Sequence, residues 1–322
     1  MHPLRILAAA TAMEVSVVAM ILAAAGVCGV RNGWLDVINC FAPAILALAL
    51  LGAGLAFWSL EGRARTVTLS MAMASVAYGL VLIAPEVVRW SADPPTGGGQ
   101  LRLLTVNVWR DNPTPSLAVE AILASDADVV FLQESDGSIR GGTPQIRSVY
   151  PYSSNCAGSG VQIFVKSPIT AQGCGLGSGS RADLDFAWVQ TTAPDGRLVV
   201  LATTHFSWPF PPRFQAADRT ALATRLGGAP QADLILAGDF NTTPWSFAMK
   251  QQDRWLRPLT RRTHAWFSWP ARLDALRRPW SLPVLPIDHI YASPNWRSGR
   301  LTRVRIPGSD HFATEVVLSR SL

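Results

Sequence analysis

Charge is scarce in this chain. Only 16% of its 322 residues are Asp, Glu, Lys or Arg, against about 25% in a soluble globular domain. A disordered chain needs high charge and low hydrophobicity and is excluded. Cysteine is scarce too. Four cysteines are too few for a fold built on disulfides. Lysine is nearly missing, with only Lys166 and Lys250 among 28 basic residues. Arginine carries the remaining positive charge, and it suits flat bidentate contact with carboxylate or phosphate. No internal repeat and no long low-complexity run is present.

Apolar residues are plentiful, at 49%, and unevenly placed. Residues 1–100 hold five basic groups (Arg5, Arg31, Arg63, Arg65, Arg89) and five acidic ones (Glu14, Asp36, Glu61, Glu86, Asp93). The whole formal net charge of +6 therefore falls beyond residue 100.

Three apolar stretches, Leu4–Val30, Val37–Leu60 and Val67–Ala84, approach or exceed the ~20 residues that cross a hydrocarbon core. Trp34, Trp58 and Trp90 stand at their ends, where amphipathic rings favour the lipid–water boundary. The first stretch lacks a small-residue cleavage site before polar sequence, which argues against a signal peptide. Three such stretches in a row argue against buried helices of a soluble protein. Basic residues stay cytoplasmic. Arg5 before the first stretch, and Arg63 and Arg65 between the second and third, place the N-terminus and that turn inside. An odd number of spans then leaves everything after Trp90 outside the cytoplasmic membrane. Glu14 within a span is expected to pair inside the bundle.

The chain thus divides into a three-span anchor over residues 1–90, a Pro- and Gly-rich linker over 91–100 and a second domain over 101–322. Strands are expected at Leu101–Val108, Asp128–Gln133, Val161–Val165, Phe186–Thr191, Arg197–Thr204, Leu234–Phe240, Ile287–Tyr291 and Ala313–Leu318. Pro194-Asp-Gly196 is a turn signal between two of them. Helices are expected at Pro115–Ser125, with Leu117, Ala121 and Ile122 on one face, and at Pro212–Leu226. This mixture fits an α+β sandwich better than a regular βαβ array.

The polar residues that stand out lie at strand ends: Asn107, Glu134, His205, Asp239, Asn241, Asp288, Asp310 and His311. A lone Asp after a strand is usually a turn residue. This many at one sheet end would form a carboxylate-rich pocket. Carboxylates without a cysteine cluster suit a hard cation such as Mg²⁺, which binds phosphate oxygens. Histidines and an Asn in the same pocket can stabilise charge growing on a phosphate.

Thr105-Val-Asn-Val108, Leu132-Gln-Glu134, Gly160-Val161, Thr204-His205, Gly238-Asp-Phe-Asn241, Ile287-Asp-His-Ile290 and Gly308-Ser-Asp-His311 resemble, in order, the motifs of the endonuclease/exonuclease/phosphatase superfamily. The resemblance covers residues 101–322 and implies a four-layer α-β-β-α sandwich with its site at one edge of two sheets. It also implies Mg²⁺, or Mn²⁺, held by Glu134 with Asn107 and Asp310 nearby. By the same resemblance Asp239 orients or deprotonates the attacking water, helped by Asn241. His311 contacts the scissile phosphate with Asp288 holding its ring. His205 matches the second histidine of the deoxyribonuclease and sphingomyelinase branches. Some nuclease members carry an acid two positions after the Asn. Here that position is Trp109, which weakens a two-metal or apurinic-site reading. His264 and His289 match no functional position and are expected to be structural or surface groups.

Two aromatic regions bear on substrate. The loop after His205 contains Trp208 and Phe210, and Arg254–Trp280 mixes Arg261, Arg262 and five further arginines with four tryptophans. Arg with Trp is the composition of an interface with anionic headgroups, and also of a nucleic-acid surface. The three-span anchor, Thr243-Pro-Trp-Ser246 and Trp269-Pro270 resemble a narrower branch, the VanJ-like membrane proteins. That branch implies a multi-pass protein dephosphorylating undecaprenyl pyrophosphate-like lipids outside the cytoplasmic membrane. The alternatives are a membrane-tethered endonuclease or exonuclease and a phospholipid or sphingomyelin phosphodiesterase. No obligate protein partner is evident. Cys156 and Cys174 flank one strand, and an oxidising compartment would permit a bridge between them.

Overall fold

The structure, a computed structural model, describes residues 3–88, 99–156, 158–175, 184–227, 233–273 and 278–321. Most of the expected linker, and Trp90, Asp274 and Arg277, lie outside the described residues. The chain forms two compact units, Met1–Arg89 with Thr243–Lys250 and Trp90–Thr242 with Gln251–Leu322.

The first unit contains α1 (Pro3–Cys28), α2 (Gly33–Asn39), α3 (Ala42–Ser59) and α4 (Gly62–Val88). Helices α1, α3 and α4 are long and apolar enough to cross a membrane. Their burial pattern points the same way. The buried faces are small, with Ala12, Ser16, Ala19, Ala23 and Gly26 in α1, Ala49, Gly52 and Ala56 in α3, and Ala72, Ser75 and Gly79 in α4. Leu7, Ile21, Leu50, Phe57 and Val81 face outward. Small residues let helix backbones approach closely, and large apolar groups on the outer faces are compatible with lipid. The expected second span begins later than its hydropathy suggested. Residues 33–39 form the separate helix α2, and Pro at the start of α3 opens a new helix. Glu14 lies on the exposed face of α1 rather than inside the bundle. Arg5 and Glu61 pair at 2.6 Å, which brings the N-terminal end of α1 beside the α3–α4 turn.

In chain order the remainder comprises β1 (Gln100–Asn107), α5 (Pro115–Ala124), β2 (Val129–Gln133), a 3₁₀ turn at Ser138–Gly142, α6 (Thr143–Val149), β3 (Tyr152–Ser153), β4 (Val161–Val165), β5 (Ile169–Gly175), β6 (Asp185–Thr192) and β7 (Leu198–His205). There follow α7 (Pro212–Gly227), β8 (Leu234–Asp239), α8 (Phe247–Trp255), β9 (Thr260–Arg261), β10 (Arg272–Leu273), β11 (Arg278–Pro279), β12 (Asp288–Ala292), β13 (Trp296–Ser298), β14 (Thr302–Arg305) and β15 (Phe312–Arg320). Among the described residues, one sheet runs β13-β15-β1-β2-β4-β3, with β14 also on β15, and another runs β5-β6-β7-β8-β12-β9. Each sheet carries one parallel pair, β1 with β2 and β7 with β8, among antiparallel neighbours.

Side-chain alternation builds the layers. In β1 and β2, Leu101, Leu103, Val129 and Phe131 join Leu201, Ile235 and Ile290 of the other sheet in one core. The intervening Leu104, Val106, Val130 and Leu132 pack with Ala118, Val119 and Ile122 of α5 and Ile146 of α6. Strands covered on both faces read as continuous apolar runs, which is why Val129–Leu132 shows no alternation. On α5 the buried residues are Ala118, Val119 and Ile122, while Leu117 is half exposed. The α-β-β-α sandwich is therefore present, and every expected strand and helix has a counterpart within a few residues. The short β3, β9, β10, β11, β13 and β14 carry too few residues to show a period. Cys156 and Cys174 are bridged.

Candidate active site

The inter-sheet face places the site. Asn107 follows Leu101, Leu103 and Thr105 on one face of β1. His205 follows Val199 and Leu201 on β7, Asp239 follows Ile235 and Ala237 on β8, and Asp288 precedes Ile290 and Ala292 on β12. A period of two aims all four side chains into the layer that forms the core. Strand register then sets three of them abreast, His205 opposite Asp239 and Asp288 opposite Asp239. Between core and site lies a polar layer that sequence reasoning missed. Gln133 Nε2 donates to Thr203 Oγ1 at 2.9 Å and to Thr105 Oγ1 at 3.4 Å, so one buried amide spans the two sheets.

Glu134 and Asn241 lie just past their strands with φ of 55° and 47°. Non-glycine residues seldom adopt such angles, and the strain collects where function needs it. Asn107 Nδ2 donates to Glu134 Oε1 at 2.8 Å and to Asp239 Oδ2 at 3.1 Å, so one amide separates two carboxylates. The Arg110 amide donates to Glu134 Oε2 at 2.7 Å. Asp239 Oδ1 accepts the Asn241 amide at 2.8 Å, and Asn241 Nδ2 reaches His205 Nε2 at 3.3 Å. His205 Nε2 is 3.7 Å from Asp239 Oδ2 and 3.8 Å from Glu134 Oε1.

His311 is fixed from both ends. Its Nδ1 meets Asp288 Oδ2 at 2.9 Å, and its Nε2 lies 3.6 Å from Asp239 Oδ2. The Ser309 hydroxyl accepts the His311 amide at 3.0 Å and donates to the Asn107 carbonyl at 2.7 Å, tying this turn to β1. Gly308, at φ 79°, has no room for a Cβ, which would strike Asn112. Asn112 holds the Val108 and Pro307 carbonyls at 3.0 and 3.1 Å. Neither Ser309 nor Asn112 carries a signal in the sequence beyond its place near a motif.

The electrostatics follow from burial and crowding. Burial disfavours a charged His311, but Asp288, Asp239 and Asp310 outweigh it and push the imidazole up to about 10. Burial raises Asp239 to about 6, with Asp288 adding to the rise and His311 and His205 opposing it. Burial also raises Glu134, but His205, Asn107 and the Arg110 amide win and hold it below the usual carboxylate range. The site is an ionised Glu134 beside an imidazolium, with a strained buried carboxylate between them.

The donor set fits a divalent cation. Asp239 and Asp288 each bring a carboxylate oxygen into one cluster with His311, all within 4.8 Å, and the charged His311 ring offsets these acids rather than offering a lone pair. Asp288 Oδ1 and Asp310 Oδ1 are buried anionic oxygens without a hydrogen-bond partner. A buried carboxylate oxygen so placed carries a large cost that a hard cation removes. The other oxygen of Asp310 accepts Trp269 Nε1 at 3.1 Å.

The Endonuclease/Exonuclease/phosphatase family model matches residues 104–311. This chain belongs to that family. Family members are hydrolases of phosphate esters that use divalent metals, and the described residues include a buried cluster of Asp239, Asp288 and His311. Among curated proteins none matches by sequence. The fold is similar to D. rerio TDP2 complexed with single-strand DNA product, at 15% identity and TM-score 0.55, over 68% of this chain and 99% of that one. It is similar to the human Nocturnin catalytic domain with bound sulfate, at 18% identity and TM-score 0.53, over 74% and 99%. It is also similar to an endonuclease/exonuclease/phosphatase of Beutenbergia cavernae, at 20% identity and TM-score 0.52, over 69% and 72%. At these identities the likeness is one of fold.

Trp208 and Phe210 lie in the open, 65% and 63% exposed. Trp208 packs edge-on against Trp269 at 6.5 Å, next to Asp310. The expected interface role of Arg261 and Arg262 is corrected by the structure. Arg261 is buried and binds Asp253 through Nε and Nη2 at 3.1 and 2.9 Å. Arg262 Nη2 donates to the carbonyls of Ser293 and Trp296 at 3.2 and 2.6 Å. Both are tied to protein partners that local composition does not reveal. Arg272 instead lies over the Trp109 ring at 5.5 Å, beside the end of β1.

His289 is a buried support rather than a surface group. Its Nε2–H donates to the Thr242 carbonyl at 3.0 Å, and Thr263 Oγ1 meets Nδ1 at 3.2 Å. Burial, with Arg261 nearby, lowers it from 6.5 to about 4. A histidine held neutral in the fold contributes stability that is complete above the unfolded value of about 6.5. The contribution is lost as pH falls through about 4. Linkage puts it at about 3 kcal/mol. Chemical denaturation of wild type and His289→Gln between pH 7.5 and 4 should show wild type losing the greater stability. Parallel curves would refute the buried neutral histidine.

Proposed function

We propose that the chain is a Mg²⁺-dependent phosphohydrolase acting on a lipid-linked phosphate or pyrophosphate, undecaprenyl pyrophosphate-like, outside the cytoplasmic membrane. One observation carries the choice of substrate. The loop that leaves His205 exposes Trp208 and Phe210 to solvent, and Leu282 and Val284, also exposed, flank a strand bridge between Leu285 and Trp269. Large apolar groups gathered beside a phosphate-handling site suit an amphiphile whose chain needs cover. Three helices of membrane-crossing length in the same chain support a substrate found in a bilayer. The Cys156–Cys174 bridge supports an oxidising compartment, in agreement with the orientation drawn from Arg5, Arg63 and Arg65.

The oxygen donors that would hold the cation are the Glu134 and Asp310 carboxylates, with Asp239 beside them; the expected ligand Asn107 instead turns its NH₂ to Glu134 and Asp239 and its oxygen to the Trp109 amide, so it would hold those carboxylates in place. When bound, the cation neutralises phosphate oxygens and makes the phosphorus easier to attack. Asp239 orients the attacking water and takes its proton, while Asn241 holds the turn. The His311 imidazolium, fixed by Asp288, donates to a phosphate oxygen as charge builds there. His205 approaches the same space from the neighbouring strand.

Full-length protein in detergent with Mg²⁺ should release inorganic phosphate from a polyprenyl pyrophosphate and leave plasmid DNA intact. Nicked plasmid without phosphate release would establish the nuclease instead. Trp208→Ser combined with Phe210→Ser should weaken turnover of the lipid substrate by about tenfold to a hundredfold, or ~1.5–3 kcal/mol in all, for two aromatic groups that the lipid covers only in part. Hydrolysis of a water-soluble phosphate ester by the same variant should hold. Equal losses on both substrates would sink the lipid-facing assignment.

A further inference from the structure

Asp36 sits in α2, between two membrane-length helices, yet it is only 5% exposed. Both its oxygens are in use. Asp36 Oδ1 accepts the Phe247 amide at 2.9 Å, and Oδ2 accepts the Ala248 amide at 2.7 Å. These are first-turn amides of α8, which have no partner within their own helix. A carboxylate there also meets the positive end of the helix dipole. The acid that caps α8 therefore comes from a residue more than two hundred positions earlier.

The cap is itself held. Asn39 Nδ2 donates to Asp36 Oδ1 at 2.9 Å and to the Gly26 carbonyl at 3.1 Å. The Tyr78 hydroxyl donates to Asn39 Oδ1 at 2.7 Å. Helices α1, α2 and α4 thus all contribute. A Cβ on Gly26 would strike Asn39 Oδ1, and one on Gly29 would lie 2.8 Å from the Asp36 Cα. Trp245, fully buried, donates from Nε1 to the Cys40 carbonyl at 3.1 Å. All of this lies inside the first unit, which includes Thr243–Lys250. That segment is the direct continuation of Gly238-Asp-Phe-Asn-Thr242. The turn bearing Asp239 and Asn241 is anchored upstream by β8. His289 grips the Thr242 carbonyl, and Asp36 fixes the residues that follow.

We propose that Asp36 is a positioning residue for the Asp239–Asn241 turn, acting through the continuous chain that runs from that turn to Phe247 and Ala248. Small displacements of groups that orient a reactant cost rate out of proportion to their size. The proposal does not depend on which phosphate ester is cleaved.

The test compares full-length wild type, Asp36→Asn and Asp36→Ala in the same detergent. Amide hydrogen exchange, without substrate, is read on peptides covering residues 239–250. Turnover is read with bis(p-nitrophenyl) phosphate and with polyprenyl pyrophosphate at saturating Mg²⁺. In Asp36→Ala, exchange at Phe247 and Ala248 should rise by about tenfold and spread to residues 239–241. On whichever probe wild type cleaves, kcat should fall by about tenfold with KM nearly unchanged. Asp36→Asn keeps one acceptor and should fall between. It decides the matter should the alanine variant fail to fold. Faster exchange confined to residues 243–250, or an unchanged kcat, would overturn the proposal. If neither probe is cleaved by wild type, the spread of exchange to 239–241 still decides it, apart from the fate of the substrate reading.

Discussion

Asp239→Asn is expected to lower kcat by about a thousandfold, or about 4 kcal/mol of barrier, while the protein folds as before. The side chain is buried, and each oxygen has a defined task. Oδ1 accepts the Asn241 amide at 2.8 Å, and Oδ2 accepts Asn107 Nδ2 at 3.1 Å. Asparagine can keep the first contact with its carbonyl oxygen. Its NH₂ then faces the Asn107 NH₂, two donors with no acceptor between them. The negative charge that would draw a proton from water is gone. Stability should change little, because the lost hydrogen bond is offset by removing one of two crowded buried acids. Burial and Asp288 already lift Asp239 to about 6, and that rise measures its cost to the folded state. Circular dichroism melting and phosphate release from the same preparation supply the comparison. Turnover within tenfold of wild type in Asp239→Asn would remove Asp239 from the role of base.

The site was legible because its chemistry sits at strand ends, where apolar runs stop abruptly. Val129–Leu132 and Leu234–Ala237 announce buried strands, and an acid two positions after each is conspicuous. Alternation alone puts Asp239 and Asp288 on the core-facing side. The sequence is silent where partners are remote. Arg261 looked like part of a basic surface until Asp253 was found beside it, and Arg262 until the Ser293 and Trp296 carbonyls were. Asp36 was only one of the five acids counted over residues 1–100, yet its partners are the Phe247 and Ala248 amides. Gln133 stood next to Glu134 in a motif, but its bridge to Thr203 depends on how two sheets stack. Local pattern determines which face a residue takes, whereas its contact there is fixed by the tertiary fold.

Removing divalent cations with EDTA should abolish hydrolysis, and Glu134→Gln should make recovery demand far more Mg²⁺. Glu134, Asp239, Asp288 and Asp310 all border one space, and His311 and His205 offset them there. Like charges so placed repel, and two of their oxygens are buried without partners. A cation relieves both costs in the folded state only, so adding Mg²⁺ should raise the melting temperature through linkage. Glu134 is the strongest candidate ligand because it stays ionised despite burial, held below the usual carboxylate range by His205, Asn107 and the Arg110 amide. Glutamine keeps the size and can still accept the Arg110 amide, but it brings no charge and turns an NH₂ toward Asn107. The Mg²⁺ concentration for half-maximal activity should rise by about tenfold to a hundredfold, with the thermal shift reduced in parallel. Excess Mg²⁺ should restore much of the Glu134→Gln rate and none of the Asp239→Asn rate, since one variant loses affinity and the other loses the base. An unchanged Mg²⁺ midpoint in Glu134→Gln would take Glu134 out of the metal's coordination and leave the Asp239–Asp288–His311 cluster as the place to look.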